Sequence, residues 1–311
     1  TNRGNFEADQ VVIATGAYHV PNRHPLSERL PTNILQIDAR DYKNANSLPD
    51  GPVLVVGSGQ SGCQIAEDLF FEKRKVHLSV GSAPRSPRRY RGRDVVDWLD
   101  RMGYYSMPIG EHDDPKSVRN KTNHYLTGRD NGREIDLRKR AKEGMSLHGR
   151  LKDLTIDNIR FSNDLSKNLD GADSVYCRIR NSIDEWISKN NIDAPKEEIY
   201  VPCWEPTEDF KGTQLECKNL AVVIWCTGYK SDFSWVDVSV FDGTGTPVHE
   251  RGVTQSPGLY FLGLPWLYTW GSGRFCGVKD DANFLADIIS LRSNKSAATK
   301  EMLECKALLG S

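Results

Sequence analysis

Apolar runs that end on a glycine punctuate the chain. Val53 to Val56 ("VLVV") follows Asp50-Gly51-Pro52 and runs into Gly57, Gly59 and Gly62. A short β-branched and aliphatic run bounded by turn residues predicts a buried parallel strand. Beyond it, Ile65/Leu69 and Ala66/Phe70 recur at i, i+4, which predicts a helix with one apolar face. "KVHLSV" (75–80) predicts the next strand at the spacing of a βαβ unit. "DQVVIATG" near the start and "LAVVIWCTG" far downstream are strand-like runs that close on Thr15-Gly16 and Thr227-Gly228. A third such run, "SPGLYFLGLPW" (256–266), reaches Gly263. Small residues at strand ends mark places where backbone approaches a ligand, and open α/β sheets bind ligands beyond the carboxyl ends of their strands.

The middle of the chain predicts a helix over 93–105 from Val95, Val96, Trp98, Leu99 and Met102, and a strand within 157–164. A further helix is expected over 173–190, with Val175, Ile179, Ile183 and Ile187 on one face. Residues 83–157 read as an elaboration of the nucleotide-binding domain. Tyr104, Tyr105, His124 and Tyr125 are candidate pocket residues there, with a core or surface role favoured for each. His19, beside the first Thr-Gly, lies nearer to a predicted site. Near the end, Gly271, Gly273 and Gly277 form a loop with Trp270, Arg274 and Phe275. It feeds a helix marked by Ala282, Leu285, Ala286 and Ile289.

The spacing Gly57-x-Gly59-x-x-Gly62 gains meaning from its strand–loop–helix setting. The first glycine allows the tight turn, the second lets backbone approach a pyrophosphate, and the third lets helix and strand pack closely. The helix start adds amides and a partial positive charge. Ser58, Gln60 and Ser61 complete the predicted phosphate loop. For NAD the second strand should end in Asp or Glu. Here it ends Val80-Gly81-Ser82, and Arg85, Arg88, Arg89, Arg91 and Arg93 follow before the first acid, Asp94. Ser82, Arg85, Arg88 and Arg89 therefore point to the 2′-phosphate of NADP(H).

Composition narrows the field. The 311 residues are 38% hydrophobic and 27% charged with a net charge of -1, which suits about two domains and gives no basic field for nucleic acid. No apolar run approaches the ~20 residues of a membrane span. Seven cysteines (63, 177, 203, 217, 226, 276, 305) lack any C-x-x-C pair. That argues against a metal, a dithiol redox centre or a disulfide scaffold, and favours a cytoplasmic setting. The chain opens without Met at the edge of a predicted strand, which reads as a missing N-terminal part.

The ordered set "VVIATGAYHVPN", "GPVLVVGSGQSGCQIAEDL", "CTGYKSDF" and "GLYFLG" resembles the flavin-containing monooxygenase-like flavoproteins, in particular the bacterial flavoproteins linked to cation-diffusion facilitators. The resemblance implies a Rossmann-like NADPH-binding domain inserted into an FAD-binding Rossmann-like domain, here incomplete, with FAD and NADP as cofactors. It assigns 1–48 to the tail of the FAD domain and linker, 49–219 to the NADPH domain and 220–311 to the return to the FAD domain. On this reading Ala14, Thr15, Gly16, Thr227 and Gly228 mark the crossovers, and Gly263, Gly273 and Arg274 lie in the region closing over the flavin.

The implied chemistry is oxygenation of a small molecule by dioxygen through a flavin C4a-peroxide. Catalytic side chains are not implied. Two departures stand out: the family's first FAD loop would precede residue 1, and Asp38 occupies a position where the family often has His, while Tyr42 is kept. These leave room for an NADPH–flavin reductase or oxidase without oxygen insertion, or for a non-catalytic nucleotide-binding module. An oligomer is left open.

Overall fold

The computed structural model describes residues 2–120, 123–207 and 212–309. In chain order its main elements are β1 (Val11–Ile13), β2 (Leu35–Asp38), β3 (Val53–Val56), α1 (Gln60–Phe71), β4 (Val76–Ser79) and α2 (Val95–Arg101). There follow β5 (Ser146–His148), β6 (Leu151–Leu154), β7 (Asn158–Phe161), α3 (Leu165–Lys189), β8 (Gln214–Glu216) and β9 (Val222–Trp225). The last are β10 (His249–Glu250), β11 (Val253–Thr254), β12 (Leu259–Phe261) and α4 (Val278–Leu309). The chain divides into two compact units. One comprises residues 1–20, 103–120 and 230–311; the other comprises 21–102 and 121–229.

The larger unit is built on a five-stranded parallel sheet in the order β2-β9-β3-β4-β5. Val222 pairs with both Leu35 and Val53, and Trp225 with both Asp38 and Val56, so β9 is fixed in register between two neighbours. Every residue of β3, β4 and β9 is buried, as expected of strands covered on both faces. Alternation sorts their side chains into two cores. Val53, Val55, Val222 and Ile224 pack with Ala66 and Leu69 of α1. Leu54, Val56, Val223 and Trp225 pack with Leu154, Ile159 and Phe161, from the three-stranded antiparallel sheet β8-β7-β6.

The smaller unit carries a four-stranded sheet, β1-β12-β11-β10. Val11 to Ile13 run parallel to Leu259 to Phe261, which sets the carboxyl ends of these two strands side by side. Ile13, Phe233, Leu259, Phe261, Leu264 and Leu267 form its core.

The compact units divide near Val20/Pro21 and Tyr229/Lys230, because β2 and β9 hydrogen-bond into the nucleotide-type sheet. Two expectations change. The long middle is not all one elaboration: residues 103–120 belong to the smaller unit, where Ile109 N–H donates to the Tyr268 carbonyl at 2.7 Å. Finally, α3 starts at Leu165, well before the expected 173. Its buried stripe runs through Leu165, Leu169, Ala172, Tyr176, Ile183 and Ile187, while Val175 and Ile179 are half-buried. The first turns looked polar because they hold structural partners: Asn168 donates to the Val80 carbonyl at 2.9 Å, and Asp173 accepts from Arg85 and Arg138.

Candidate dinucleotide site

The buried run of β3 delivers the chain to Gly57, whose φ of +103° turns it toward α1. A Cβ on Gly57 would sit 2.5 Å from the Cys226 carbonyl oxygen, and one on Gly62 only 1.8 Å from the Gly57 carbonyl oxygen. Both positions therefore admit glycine alone. Gly59 differs: it is the N-cap of α1 with φ -73°, and a Cβ there would meet nothing within 4 Å. The loop is thus closed on the sheet side and open at Gly59, the shape of a cradle that a phosphate rather than a side chain would fill. The first-turn amides of α1 have no acceptor within their own helix and face this cradle as donors.

Neighbouring side chains hold the loop. Ser58 is buried, and its hydroxyl accepts from the Gly81 amide at 2.9 Å, tying the loop to the end of β4. Gln60 grips the loop after residue 123: its side-chain amide donates to the Leu126 carbonyl, and its oxygen accepts from the Leu126 amide at 2.9 Å. Gln64 adds a second donor to the same carbonyl at 2.9 Å. Ser61 stays half-exposed at the helix start. The Leu126 anchor and the Cys226 carbonyl were not anticipated. Only contacts distant in sequence reveal them.

Ser82, just past the end of β4, and Arg89, in the short strand Arg89–Tyr90, are exposed, and Arg89 donates to the Asn131 carbonyl at 3.2 Å. Arg88 ion-pairs with Asp94 and donates to the Thr127 carbonyl at 3.1 Å. Arg85 is placed otherwise. It is 2% exposed, sets its guanidinium against the rings of Tyr176 and Tyr200 and pairs with Glu134, Asp136 and Asp173. These carboxylates outweigh burial and hold its guanidinium above its ordinary value. The structure gives Arg85 a core role. Tyr125, once a pocket candidate, is likewise buried, and burial raises its phenol.

Parallel pairing of β9 with β3 brings Cys226, Thr227 and Gly228 beside the glycine loop. Thr227 donates to the Asn22 carbonyl at 2.7 Å, and the Asn22 amide donates to the Gly228 carbonyl at 2.9 Å. Burial, then the nearby Asp38 charge, pushes the Cys226 thiol up to about 12, so it is a packed thiol and not a nucleophile. Asp38 itself takes a bidentate ion pair from Arg23 at 3.0 and 2.9 Å. Tyr42 donates to Asp68, and burial with that carboxylate raises its phenol.

In the smaller unit the parallel pairing of β1 and β12 places Ala14, Thr15 and Gly16 alongside Leu262 and Gly263, with the Leu262 amide donating to the Ile13 carbonyl at 2.9 Å. A Cβ at Gly16 or Gly263 would meet nothing within 4 Å. His19 accepts the Asp232 amide on Nδ1 at 2.8 Å and sets Nε2 at 3.3 Å from the Thr15 carbonyl, which fixes the Nε2–H tautomer. Gly273 closes the 3-10 turn Trp270–Gly273 against Pro265, and Arg274 follows it with its guanidinium over the Trp270 ring.

Among the described residues no helix is long and apolar enough to cross a membrane. The fold and the glycine cradle define an α/β protein of the dinucleotide-binding oxidoreductase class. Residues 1–141 match the family model described as pyridine nucleotide-disulphide oxidoreductase. Over 292 residues the chain is 31% identical to a CzcO-like oxidoreductase of Geobacillus kaustophilus, covering 93% of this chain and 67% of that protein. A thiol-specific monooxygenase of Saccharomyces cerevisiae is 34% identical over 110 residues, 32% of this chain and 23% of that protein. A variant of a flavin monooxygenase from Stenotrophomonas maltophilia has a similar fold, with a TM-score of 0.51 at 13% identity over 90% of this chain and 62% of that one. The chain belongs to the CzcO-like oxidoreductases. It spans about two thirds of the length of the curated relatives that it matches along nearly its whole extent.

Proposed function

We propose that the protein is an NADPH- and FAD-dependent oxidoreductase of monooxygenase type that acts on a small molecule with dioxygen. The observation that carries this reading is the cradle at Gly57, Gly59 and Gly62, closed by backbone on one side and open at Gly59. The residues present fit a pyrophosphate there. Gly59 through Gly62 would hold it, with Ser58 and Gln60 positioning the loop from behind. Ser82 and Arg89, with Arg88 beside them, suit a 2′-phosphate because the end of β4 offers no carboxylate to the ribose. NADPH supplies hydride, and a flavin passes electrons on to dioxygen.

The remaining work of the chain is orientation. Thr227 and Gly228 set the edge of the nucleotide site, held by Asn22. Ala14, Thr15, Gly16, Gly263 and Gly273 offer close backbone approach to the flavin. His19 keeps the turn after β1 in one shape through Thr15 and Asp232. A cytoplasmic setting goes with this reading. The thiol-specific and flavin monooxygenases among the similar proteins support oxygen transfer over simple flavin reduction.

The test is titration of the protein with NADPH and NADH, followed by anaerobic and aerobic flavin spectra in the presence of FAD. Selective NADPH binding and NADPH-dependent bleaching of flavin absorbance are expected. Failure to bind either nicotinamide dinucleotide overturns the proposal.

A further inference from the structure

A cavity of about 290 Å³ lies beside the middle turns of α1, lined also by Tyr42, Lys43 and the loop 127–133. Ile65, Glu67 and Thr127 are its buried lining, and Lys43, Arg129 and Arg133 are its cations. Glu67 accepts from Arg133 Nη1 at 2.7 Å and pairs with Arg140 at 3.0 Å. Asp68 accepts from Arg129 and from the Tyr42 hydroxyl. Arg133 Nε also donates to Asp130 at 3.0 Å. These bonds orient both guanidinium groups and leave donors over: Arg129 Nε and Nη1 and Arg133 Nη2 meet no acceptor among the described residues. Lys43 is exposed, and its ammonium has no carboxylate partner among the described residues. Asp130, Asn131 and Gly132 turn the loop with φ of +51°, +60° and +81°. Asp, Asn and Gly tolerate that left-handed run best, and it returns the chain so that Arg129 and Arg133 line one cavity.

We infer that this cavity binds a small hydroxylated phosphomonoester of pentose phosphate size. Three cations line it against two carboxylates, Glu67 and Asp68, which favours an anion. Phosphate oxygens suit the spare guanidinium donors and the unpaired ammonium of Lys43. The body of the ligand must be polar, because Ile65 and the Tyr42 ring are the main apolar surfaces on the lining. Hydroxyl groups have acceptors there: a carboxylate offers about four lone-pair positions, and Thr127 and Gln64 add a hydroxyl and an amide oxygen. The volume stands near the small end of ligand pockets, roughly 300 to 1,000 Å³, and is too small for a dinucleotide. The place also differs from the phosphate cradle. Gln64 to Asp68 lie roughly 7 to 14 Å further along α1 than Gly59, at about 1.5 Å per residue. Arg88 and Arg89 meet the loop 127–133 through its Thr127 and Asn131 carbonyls, whereas the cavity meets the side chains of Thr127, Arg129 and Arg133. This binding does not rest on the proposed function.

Isothermal titration calorimetry of the full chain with ribose 5-phosphate, ribose and inorganic phosphate, each with and without saturating NADPH, tests this. Ribose 5-phosphate is expected to bind saturably, with ribose weaker by about tenfold or more and phosphate also weaker. Saturating NADPH should leave its affinity within about twofold. Arg129→Gln should weaken ribose 5-phosphate by about tenfold and Lys43→Ala by several-fold, with NADPH affinity unchanged in both. Should Arg129→Gln fail to fold, Lys43→Ala decides, because Lys43 holds no carboxylate among the described residues. Absence of saturable binding overturns the inference. So does ribose or phosphate binding as tightly as the ester, or unchanged ester binding in Lys43→Ala. Displacement of the ester by NADPH but not by NADH overturns it as well, and makes the cavity the pocket for the 2′-phosphate. If the protein binds ribose 5-phosphate but neither nicotinamide dinucleotide, the inference stands and the proposed function fails.

Discussion

Arg85 and Arg89 stand four residues apart and have opposite fates. Arg85 is enclosed by three carboxylates and two phenol rings, whereas Arg89 is exposed in the short strand Arg89–Tyr90. Their common appearance in the sequence hid this, because the partners of Arg85 lie at 134, 136 and 173. Arg89→Ala should therefore weaken NADPH by roughly ten- to a hundredfold, the worth of one charge-assisted contact, and leave NADH within about twofold. Parallel fluorescence titrations check this, and equal losses for both cofactors would remove the assignment.

Another pair at this scale concerns stability. His77 and His148 face each other across β4 and β5, with Nδ1 of one 2.9 Å from Nε2 of the other. His148 Nδ1 lies 2.6 Å from the Gly212 carbonyl and must donate to it, so His77 Nδ1 donates to His148 Nε2. Burial, then the facing imidazole, lowers His77 from 6.5 to about 4, and burial lowers His148. Both are neutral in the fold. Their stabilisation is complete above 6.5 and lost as pH falls toward about 4. Denaturant unfolding across that window should lose on the order of 2 kcal/mol, and His148→Gln should flatten the slope.

At the scale of the element, the glycine loop separates two kinds of necessity. Gly62→Ala drives a Cβ into the Gly57 carbonyl, backbone against backbone, and should destabilise the fold by about 3 kcal/mol or more in thermal or denaturant unfolding. Gly59→Ala meets no protein atom and has an ordinary φ, so the fold should keep its stability. The methyl would instead occupy the cradle and weaken NADPH by about tenfold or more. A stable Gly59→Ala variant with unaltered affinity would show that the cradle holds no phosphate.

This unit was the most legible part of the sequence. A fully buried strand, a glycine turn and a helix stripe are all local patterns, and β3, α1 and β4 lie within a residue or two of their expected places. The start of α3 was illegible for the opposite reason. Asn168 and Asp173 look like loop residues until Val80, Arg85 and Arg138 are beside them. The site followed the same rule: the glycines could be read, whereas the Gln60–Leu126 grip could not.

At the scale of the whole molecule, sequence order and spatial membership diverge twice. β9 lies between β2 and β3, although both of those precede the glycine loop and β9 follows it far downstream. Residues 103–120 leave the unit that surrounds them in sequence and join the one holding β1 and β12. Neither departure has a local signature, since a strand run is the same string whichever sheet accepts it. The assignment nevertheless has a direct consequence for ligand response. If NADPH binds at the cradle, protection should concentrate at residues 57–65 and 226–228, whose amides lie at the loop and at the end of β9. At NADPH near a hundred times its Kd the stabilisation is about 2.7 kcal/mol, so amides that open with the loop should exchange up to roughly a hundredfold more slowly. Hydrogen–deuterium exchange with peptide resolution measures this. Residues 11–16 and 259–263 belong to the other unit and should be unaffected by NADPH alone. Protection that appears there instead, or evenly across both units, would place the nicotinamide cofactor elsewhere and return the glycine loop to a purely structural turn.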